Sequence, residues 1–223
     1  LLKGLNPLNH NRILRLLNKN LPIHNHTFTL SGIDMALWDL KGKILNTPLY
    51  NLLGGKINEG IKLMGFVHHG SPDEMGKYTR EILISKNYDV LKMKIGMEPN
   101  EDIERYQAVV DNIEGSTVIQ VDGNTGYTID QAVPAIKKME DIGKLGAVEQ
   151  PVHSKYDMSV LAKKLNTPIM ADEAIYSPDD AIDVIRNNSA TLALMKISKH
   201  GGITYVNEIG AIFEAAGLGL SIA

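Results

Sequence analysis

No cysteine occurs in the 223 residues, so disulfides and thiolate metal sites are excluded, and a reducing compartment fits. No apolar run reaches membrane-spanning length, and no signal peptide opens the chain. There is no excess of basic charge: a net charge of -3 with acids and bases interspersed leaves no electrostatic footprint for nucleic acid. No glycine-rich dinucleotide fingerprint follows any strand-like run, and no histidines stand at ligand spacing. What remains is an ordinary soluble composition, 43% hydrophobic and 22% charged. A chain of this length makes one large domain or one and a half, and buries roughly 70% or more of its unfolded surface. The expected setting is cytoplasmic, with no membrane and no nucleic-acid partner.

Residues 1 to about 28 are rich in Leu, Asn and His, and Ile13, Leu16 and Leu17 hint at one amphipathic helix before Pro22. Ser31-Gly32-Ile33-Asp34 then opens a stronger helix. Its expected apolar face is Ile33, Ala36, Leu37 and Leu40, with Asp34, Asp39 and Lys41 on another face. Asn46-Thr47-Pro48 stops it, and Leu52-Leu53-Gly54-Gly55 closes the segment with a glycine turn. From about residue 60 the rhythm changes. Strand-like runs fall near 61–67, 89–95, 117–122, 145–149, 167–172, 192–197 and 217–222, with helical patterns between them. Strands alternating with helices make βαβ units and a parallel sheet, and without a dinucleotide fingerprint they favour an α/β fold of the TIM-type (β/α) barrel.

The run Val90-Leu91-Lys92-Met93-Lys94-Ile95-Gly96 stands out, because a buried strand should not carry two lysines on one face. An edge strand with a solvated lysine face would explain it in isolation. The strand ends that follow point elsewhere. They carry Asp122 in Val121-Asp122-Gly123-Asn124, Glu149 in Glu149-Gln150-Pro151, Asp172 in Ala171-Asp172-Glu173, and Lys196 in Met195-Lys196-Ile197-Ser198. From Lys94 the successive spacings are 28, 27, 23 and 24 residues, each one β/α unit. Five units thus deliver an ionisable side chain to the C-terminal rim, where barrels of this type place their sites. Three converging carboxylates need a cation between them, and an all-oxygen ligand set favours Mg²⁺ over Zn²⁺, with Mn²⁺ as the substitute. Lysines flanking such a centre point to acid–base work at carbon. Lys92 is expected to lower the pKa of Lys94 and to sit near a substrate carboxylate, Lys94 to act as one acid/base group, and Lys196 to act on the opposite face of the same carbon. The cation would stabilise the developing enediolate or enolate.

Other residues receive smaller roles. Lys199 reads as a loop lysine, Asn124 as a site-lining or turn residue, and Glu173 as a support for the ligands. His68-His69 reads as a solvated pair, and Leu37 and Trp38 as core.

Taken in order, the segments Gly32-Ile33-Asp34-Met35-Ala36-Leu37-Trp38-Asp39-Leu40-Lys41-Gly42-Lys43, Leu52-Leu53-Gly54-Gly55, Lys92-x-Lys94, Asp122-x-Asn124, Glu149-Gln150-Pro151, Asp172-Glu173 and Lys196 before Gly201-Gly202 resemble the enolase superfamily. Within it they resemble the mandelate racemase/muconate lactonizing enzyme family and its muconate-lactonizing-enzyme-like subgroup. Sites of that superfamily pair a Lys or His base with Mg²⁺. The resemblance implies Asp122, Glu149 and Asp172 as metal ligands, Lys94 and Lys196 as acid/base catalysts and Lys92 as helper, with Asn124 and Lys92 near substrate. It also implies that residues 1–58 are the C-terminal part of an N-terminal capping domain and 59–223 a barrel of about seven strands, its seventh at Leu220-Ser221-Ile222-Ala223. A full barrel takes about 250 residues, so the chain is expected to be part of a longer, homo-oligomeric protein, and an open barrel alone is expected to fold poorly and be inactive. The implied substrate is a small carboxylate. The implied reaction is an isomerisation: a racemase or epimerase of amino-acid derivatives or dipeptides, or a muconate-type cycloisomerase. Elimination of water by a lyase or dehydratase, and a non-catalytic barrel, are the alternatives.

Overall fold

A computed structural model describes residues 2–223. In chain order the elements are α1 (His10–Asn20), α2 (Ile23–Ile44), α3 (Leu49–Leu52), β1 (Gly65–Val67), α4 (Pro72–Ser85), β2 (Val90–Lys94), α5 (Pro99–Val110), β3 (Val118–Asp122), α6 (Ile129–Ile142), β4 (Leu145–Glu149), α7 (Lys155–Lys164), β5 (Ile169–Ala171), α8 (Pro178–Arg186), β6 (Leu192–Met195), α9 (Ile203–Ala215) and β7 (Gly219–Ile222). The strands follow one another in the sheet in sequence order, β1 to β7, and the pairs from β1 through β6 are parallel. This is the α/β topology that the alternation of strand and helix predicts. Among the described residues, no helix is long and apolar enough to cross a membrane.

Two compact units divide the chain, one built on residues 62–174 and 183–193, the other on the chain up to Ile61 with 175–182 and 194–223.

In the strand-rich unit, side-chain alternation decides which residues are core. Leu91, Met93, Ile119, Val121 and Val148 are fully buried and share one side of the sheet, where Met75, Tyr106, Val109, Ile136, Met139, Met158 and Leu161 of the helices supply further core. α4 packs against α5, and α5 against α6. The helices start where local chemistry dictates. Ser71 and Glu74 form a capping box before α4, Thr128 and Gln131 form another before α6, and Ser154 caps α7. The other side of the sheet is polar, and its register is the important fact. Lys92 lies opposite Gln120, Gln120 opposite Ala147, Lys94 opposite Asp122, and Asp122 opposite Glu149.

In the other unit, α1 and α2 pack through Ile13, Leu14, Leu17, Leu30 and Leu37. Two expectations for α2 are corrected. The helix begins at Ile23, after Pro22, not at Ser31, and passes through a kink at His26 (φ -137°, ψ 23°). Ser31 and Gly32 lie inside it, because packing on α1 outweighs an intrinsic helix cost of about 1 kcal/mol for a glycine. Its buried face is Thr27, Leu30, Ser31, Asp34 and Leu37, whereas Ala36 and Leu40 are exposed. Asp34 is thus a core residue rather than part of the polar face. It accepts hydrogen bonds from Thr204 Oγ1 (2.7 Å) and the Thr204 backbone amide (3.1 Å), and His10 Nε2 lies 2.7 Å from it. Trp38 Nε1 donates to Thr204 Oγ1 at 2.9 Å, and the His10 and Trp38 rings lie 5.0 Å apart. A carboxylate placed here ties the first two helices to the start of α9.

Replacing Asp34 with Ala leaves His10 and two Thr204 donors buried without their acceptor, and should cost about 3 kcal/mol. Asp39→Ala on the exposed face, which loses only a solvated pair with Lys43, should cost less than about 0.5 kcal/mol. Urea unfolding midpoints of the two variants check the contrast.

Candidate functional site

The polar rows converge at the C-terminal ends of β2, β3, β4 and β5. Lys92 Nζ lies 2.6 Å from Glu149 Oε2 and 2.9 Å from Asp122 Oδ2, and Lys94 Nζ lies 2.6 Å from the same Asp122 oxygen. The Lys92 side chain is 14% exposed and that of Lys94 34%, while Asp122 and Glu149 are buried. Lys94 also donates to Asn124 Oδ1, whose amide Nδ2 donates in turn to Glu173 Oε1 at 2.9 Å. Asn124 N donates to Asp122 Oδ1 at 3.0 Å, and both Asn124 (φ 39°) and Thr125 (φ 64°) take up the left-handed turn that follows β3. Asp172, first residue after β5, is buried, and its backbone amide donates to Gln150 Oε1 at 2.9 Å. Asp122, Glu149, Lys92, Lys94, Asn124 and Glu173 are therefore one connected network, and Asp172 joins its margin through Gln150.

Electrostatics follow from this crowding. Burial raises the pKa of Glu149, the Asp122 charge raises it further, and Lys92 only partly opposes them, leaving it at about 7. Burial would raise Asp122 too, but the Lys94 and Lys92 ammonium groups outweigh it and hold its carboxyl below the usual range. Burial works to lower Lys92, yet Glu149 and Asp122 overcome it and raise its pKa. The mutual lowering expected of the lysine pair is therefore not what governs Lys92: the two carboxylates in contact with it set the direction. As the side chains stand, no three His, Asp or Glu residues among those described form a metal-holding group. Two of the carboxylates that the spacing marks are engaged by lysines. Even so, Glu149 Oε1 is buried with no hydrogen-bond partner, and so is Glu173 Oε2. A set of buried carboxylates with an unpartnered oxygen is what a hard, oxygen-seeking cation fits.

Three supports were not foreseen from sequence. Gln120 projects from the middle of β3 and donates to Glu149 Oε2 at 2.5 Å. Asp102, fully buried in the first turn of α5, accepts from the amides of Gly96 (2.9 Å) and Met97 (3.1 Å) and from Tyr127 Oη (2.7 Å), and pairs with Arg105 at 3.1 Å. It fixes the turn that follows Lys94. Gly96 takes φ 101° there, and a Cβ on it would collide with the Gly123 carbonyl, so only glycine lets the ends of β2 and β3 approach. Gln150 is the third. The available signal was a polar residue at an inward strand position for Gln120, and at the first helical turn for Asp102.

Lys196, Lys199 and His200 belong to the other compact unit. Lys196 follows β6 directly and is half-buried. Lys199 lies in the turn after β6, as a loop lysine, and is buried; its Nζ lies 3.5 Å from the Leu194 carbonyl and 5.9 Å from the Tyr176 ring centroid. His200 is fully buried, 3.3 Å from the same carbonyl. His68 and His69 are both exposed, and the His68 ring lies 4.9 Å from that of Tyr78.

Parallel strands in sequence order, alternating with helices and gathering lysines and buried carboxylates at their C-terminal ends, define an α/β domain of the (β/α)-barrel type. Residues 74–223 match the family model described as enolase C-terminal domain-like, and residues 1–54 match that of the mandelate racemase/muconate lactonizing enzyme N-terminal domain. The chain belongs to the enolase superfamily, in its mandelate racemase/muconate lactonizing enzyme family. It is 36% identical over 193 residues to an L-Ala-D/L-Glu epimerase of Bacillus subtilis, a match covering 84% of this chain and 52% of that one. Among solved structures it superimposes on a dipeptide epimerase of Enterococcus faecalis with a TM-score of 0.90 at 30% identity, covering 99% of this chain and 63% of the other. The muconate lactonizing enzyme of Pseudomonas putida gives 0.89 at 31% identity, covering 97% and 61%. The chain spans about half the length of the curated relatives it matches.

Asp102→Ala should leave the Gly96 and Met97 amides and the Tyr127 hydroxyl without their buried acceptor, at a cost of about 3 kcal/mol. Hydrogen exchange of those two amides should accelerate by about 100-fold or more, while the Ile119 and Val121 amides change only as global stability does.

Proposed function

We propose that the protein is a Mg²⁺-dependent isomerase that moves the proton α to a substrate carboxylate, with Mn²⁺ as an alternative metal. The observation that carries the reading is the in-register row Lys94–Asp122–Glu149, with Lys92 bridging the two acids and Glu149 Oε1 left buried and unpartnered. Asp122, Glu149 and Asp172 would hold the cation through carboxylate oxygens. A divalent cation there supplies a Lewis acid for the negative charge that develops on the substrate carboxylate as the α-proton leaves. Lys94 takes that proton as the base on one face of the carbon. Lys92 also attracts the substrate carboxylate, and Asn124 orients Lys94 and lines the substrate's place. Lys196, one β/α unit beyond Asp172 in sequence, is the second acid/base group and serves the opposite face of the carbon.

Dipeptides and N-acylated amino acids are the proposed substrates, and racemisation or epimerisation the proposed outcome. Relatives support this: one structure of the Enterococcus faecalis dipeptide epimerase holds Mg and the dipeptide L-Leu-L-Tyr, and it superimposes with a TM-score of 0.89 at 30% identity. A relative 29% identical over 220 residues is an N-succinyl-L-Arg/Lys racemase of Bacillus cereus. We further propose that residues 1–58 belong to a capping domain, that the protein works as a homo-oligomer, and that it acts in the cytoplasm.

The test is incubation with dipeptides and Mg²⁺ in D₂O, followed by NMR at the α-carbon. Exchange with inversion is expected. Lys94→Ala and Lys196→Ala should each abolish inversion, lowering by about 10²–10⁴-fold the exchange of the epimer whose α-proton that lysine removes and sparing exchange of the epimer served by the remaining lysine. Loss of water without inversion would move the protein to the dehydratases. Unchanged Mg²⁺ binding in Asp122→Ala would refute the ligand assignment.

A further inference from the structure

Gln150 makes more contacts with the site's frame than any catalytic role would require of it. It follows Glu149 directly, is fully buried, and holds a left-handed backbone conformation (φ 35°). Such a conformation is unusual outside glycine, asparagine and aspartate and persists only where the surroundings impose it. Here they do. Its side-chain oxygen accepts two backbone amides from the segment after β5, Asp172 N at 2.9 Å and Ala174 N at 3.0 Å. Its side-chain nitrogen donates to the Val152 carbonyl at 2.9 Å and lies 3.2 Å from Met158 Sδ, which fixes which end of the amide faces Asp172. Its own backbone amide donates to the Met170 carbonyl of β5 (2.9 Å), and its carbonyl accepts from Thr125 N, in the turn after β3 (2.8 Å). Beside it, a Cβ on Gly123 would lie 2.7 Å from Pro151 Cα, so the turn that follows Asp122 is packed backbone to backbone against this residue's neighbour.

One residue therefore joins the ends of β3, β4 and β5, the three strands that deliver Asp122, Glu149 and Asp172. We propose that Gln150 is a positioning residue: its carboxamide sets the place of Asp172 relative to Glu149, and through it the affinity of the three-carboxylate set for a divalent cation. This rests on the assignment of those carboxylates as the cation's ligands. The physical argument is that a short strand end cannot hold its side chain to a fraction of an ångström unless its backbone is pinned. β5 has only three residues, and the two amides beyond it, at Asp172 and Ala174, are bound by Gln150. An uncharged amide does this without adding to a rim that already holds two lysines and several carboxylates.

Mn²⁺ binding to the protein, followed by electron paramagnetic resonance of the free ion, tests it. Gln150→Met keeps the bulk and removes both amide contacts; it should weaken Mn²⁺ binding by about tenfold or more. Tyr106→Phe, which loses a 2.7 Å bond to the Gly143 carbonyl at the opposite end of β4, should lower the melting temperature without changing Mn²⁺ affinity. That control separates positioning from general loosening. If Gln150→Met does not fold, Gln150→Asn, one methylene short of the two amides, should show the same tenfold loss. The proposal is overturned if the Met or Asn variant binds Mn²⁺ within about twofold of the parent while Asp172→Asn abolishes binding. If Asp172→Asn binds Mn²⁺ unchanged, the ligand assignment itself falls, and the proposal with it.

Discussion

The Lys92 ammonium shared between Asp122 and Glu149 is the interaction on which the rim of the strand-rich unit depends. Two carboxylates on adjacent strands, opposite each other in register and both buried, repel one another and lose hydration. Lys92 and Lys94 offset that cost, but unevenly. Asp122 receives both lysines and stays ionised easily; Glu149 receives one, keeps an unpartnered oxygen, and is raised to about 7. The rim is thus balanced in charge without being saturated in hydrogen bonds. An arrangement kept for stability alone would be served better by apolar residues of similar volume, since buried ion pairs seldom repay their desolvation. The residual demand of Glu149 is therefore better understood as a demand for a ligand.

Much of this was legible in the chain because two periodicities are strict. Alternation along a strand put Lys92 and Lys94 on one face of β2, and they do leave the core that Leu91 and Met93 enter. The spacing of 23 to 28 residues between ionisable strand ends matches the observed strands, with Asp122 and Glu149 closing β3 and β4, and Asp172 and Lys196 each one residue past the end of β5 and β6. Parallel pairing in sequence order then brings the consecutive ends of β2 to β5 together. The direction of the Lys92 shift was not legible, because it depends on how closely carboxylates from two other strands approach.

Residues that fix geometry without carrying chemistry were the harder ones to find. Asp34 reads as a surface acid because its neighbours in sequence are helical and polar, yet its partners are 24 and 170 residues away. Asp102 looks like an ordinary first-turn acid at a helix start, where the helix dipole already justifies it. Its second task, holding the Gly96 and Met97 amides, depends on a chain reversal that no periodicity reports. Gln120 and Gln150 carry no charge, and although Gln150 stands in the Glu149-Gln150-Pro151 segment, the roles of both emerge only from long-range hydrogen bonds.

These supports share a logic. Near the paired charges the braces are carboxamides: Gln120 on Glu149, Asn124 between Lys94 and Glu173, Gln150 on the Asp172 and Ala174 amides. A carboxamide offers a donor and an acceptor at fixed separation and orients a charged neighbour without altering the local sum of charge. A carboxylate in the same place would compete for the lysines, and an ammonium would compete for the acids. Asp102, at the turn after Lys94, and Asp34, in the other unit, are charged braces, and the partners of each are backbone amides, hydroxyls and a histidine or arginine of its own. The physical reason is electrostatic: a charge of its own on a support in contact with the paired lysines and carboxylates would perturb them directly.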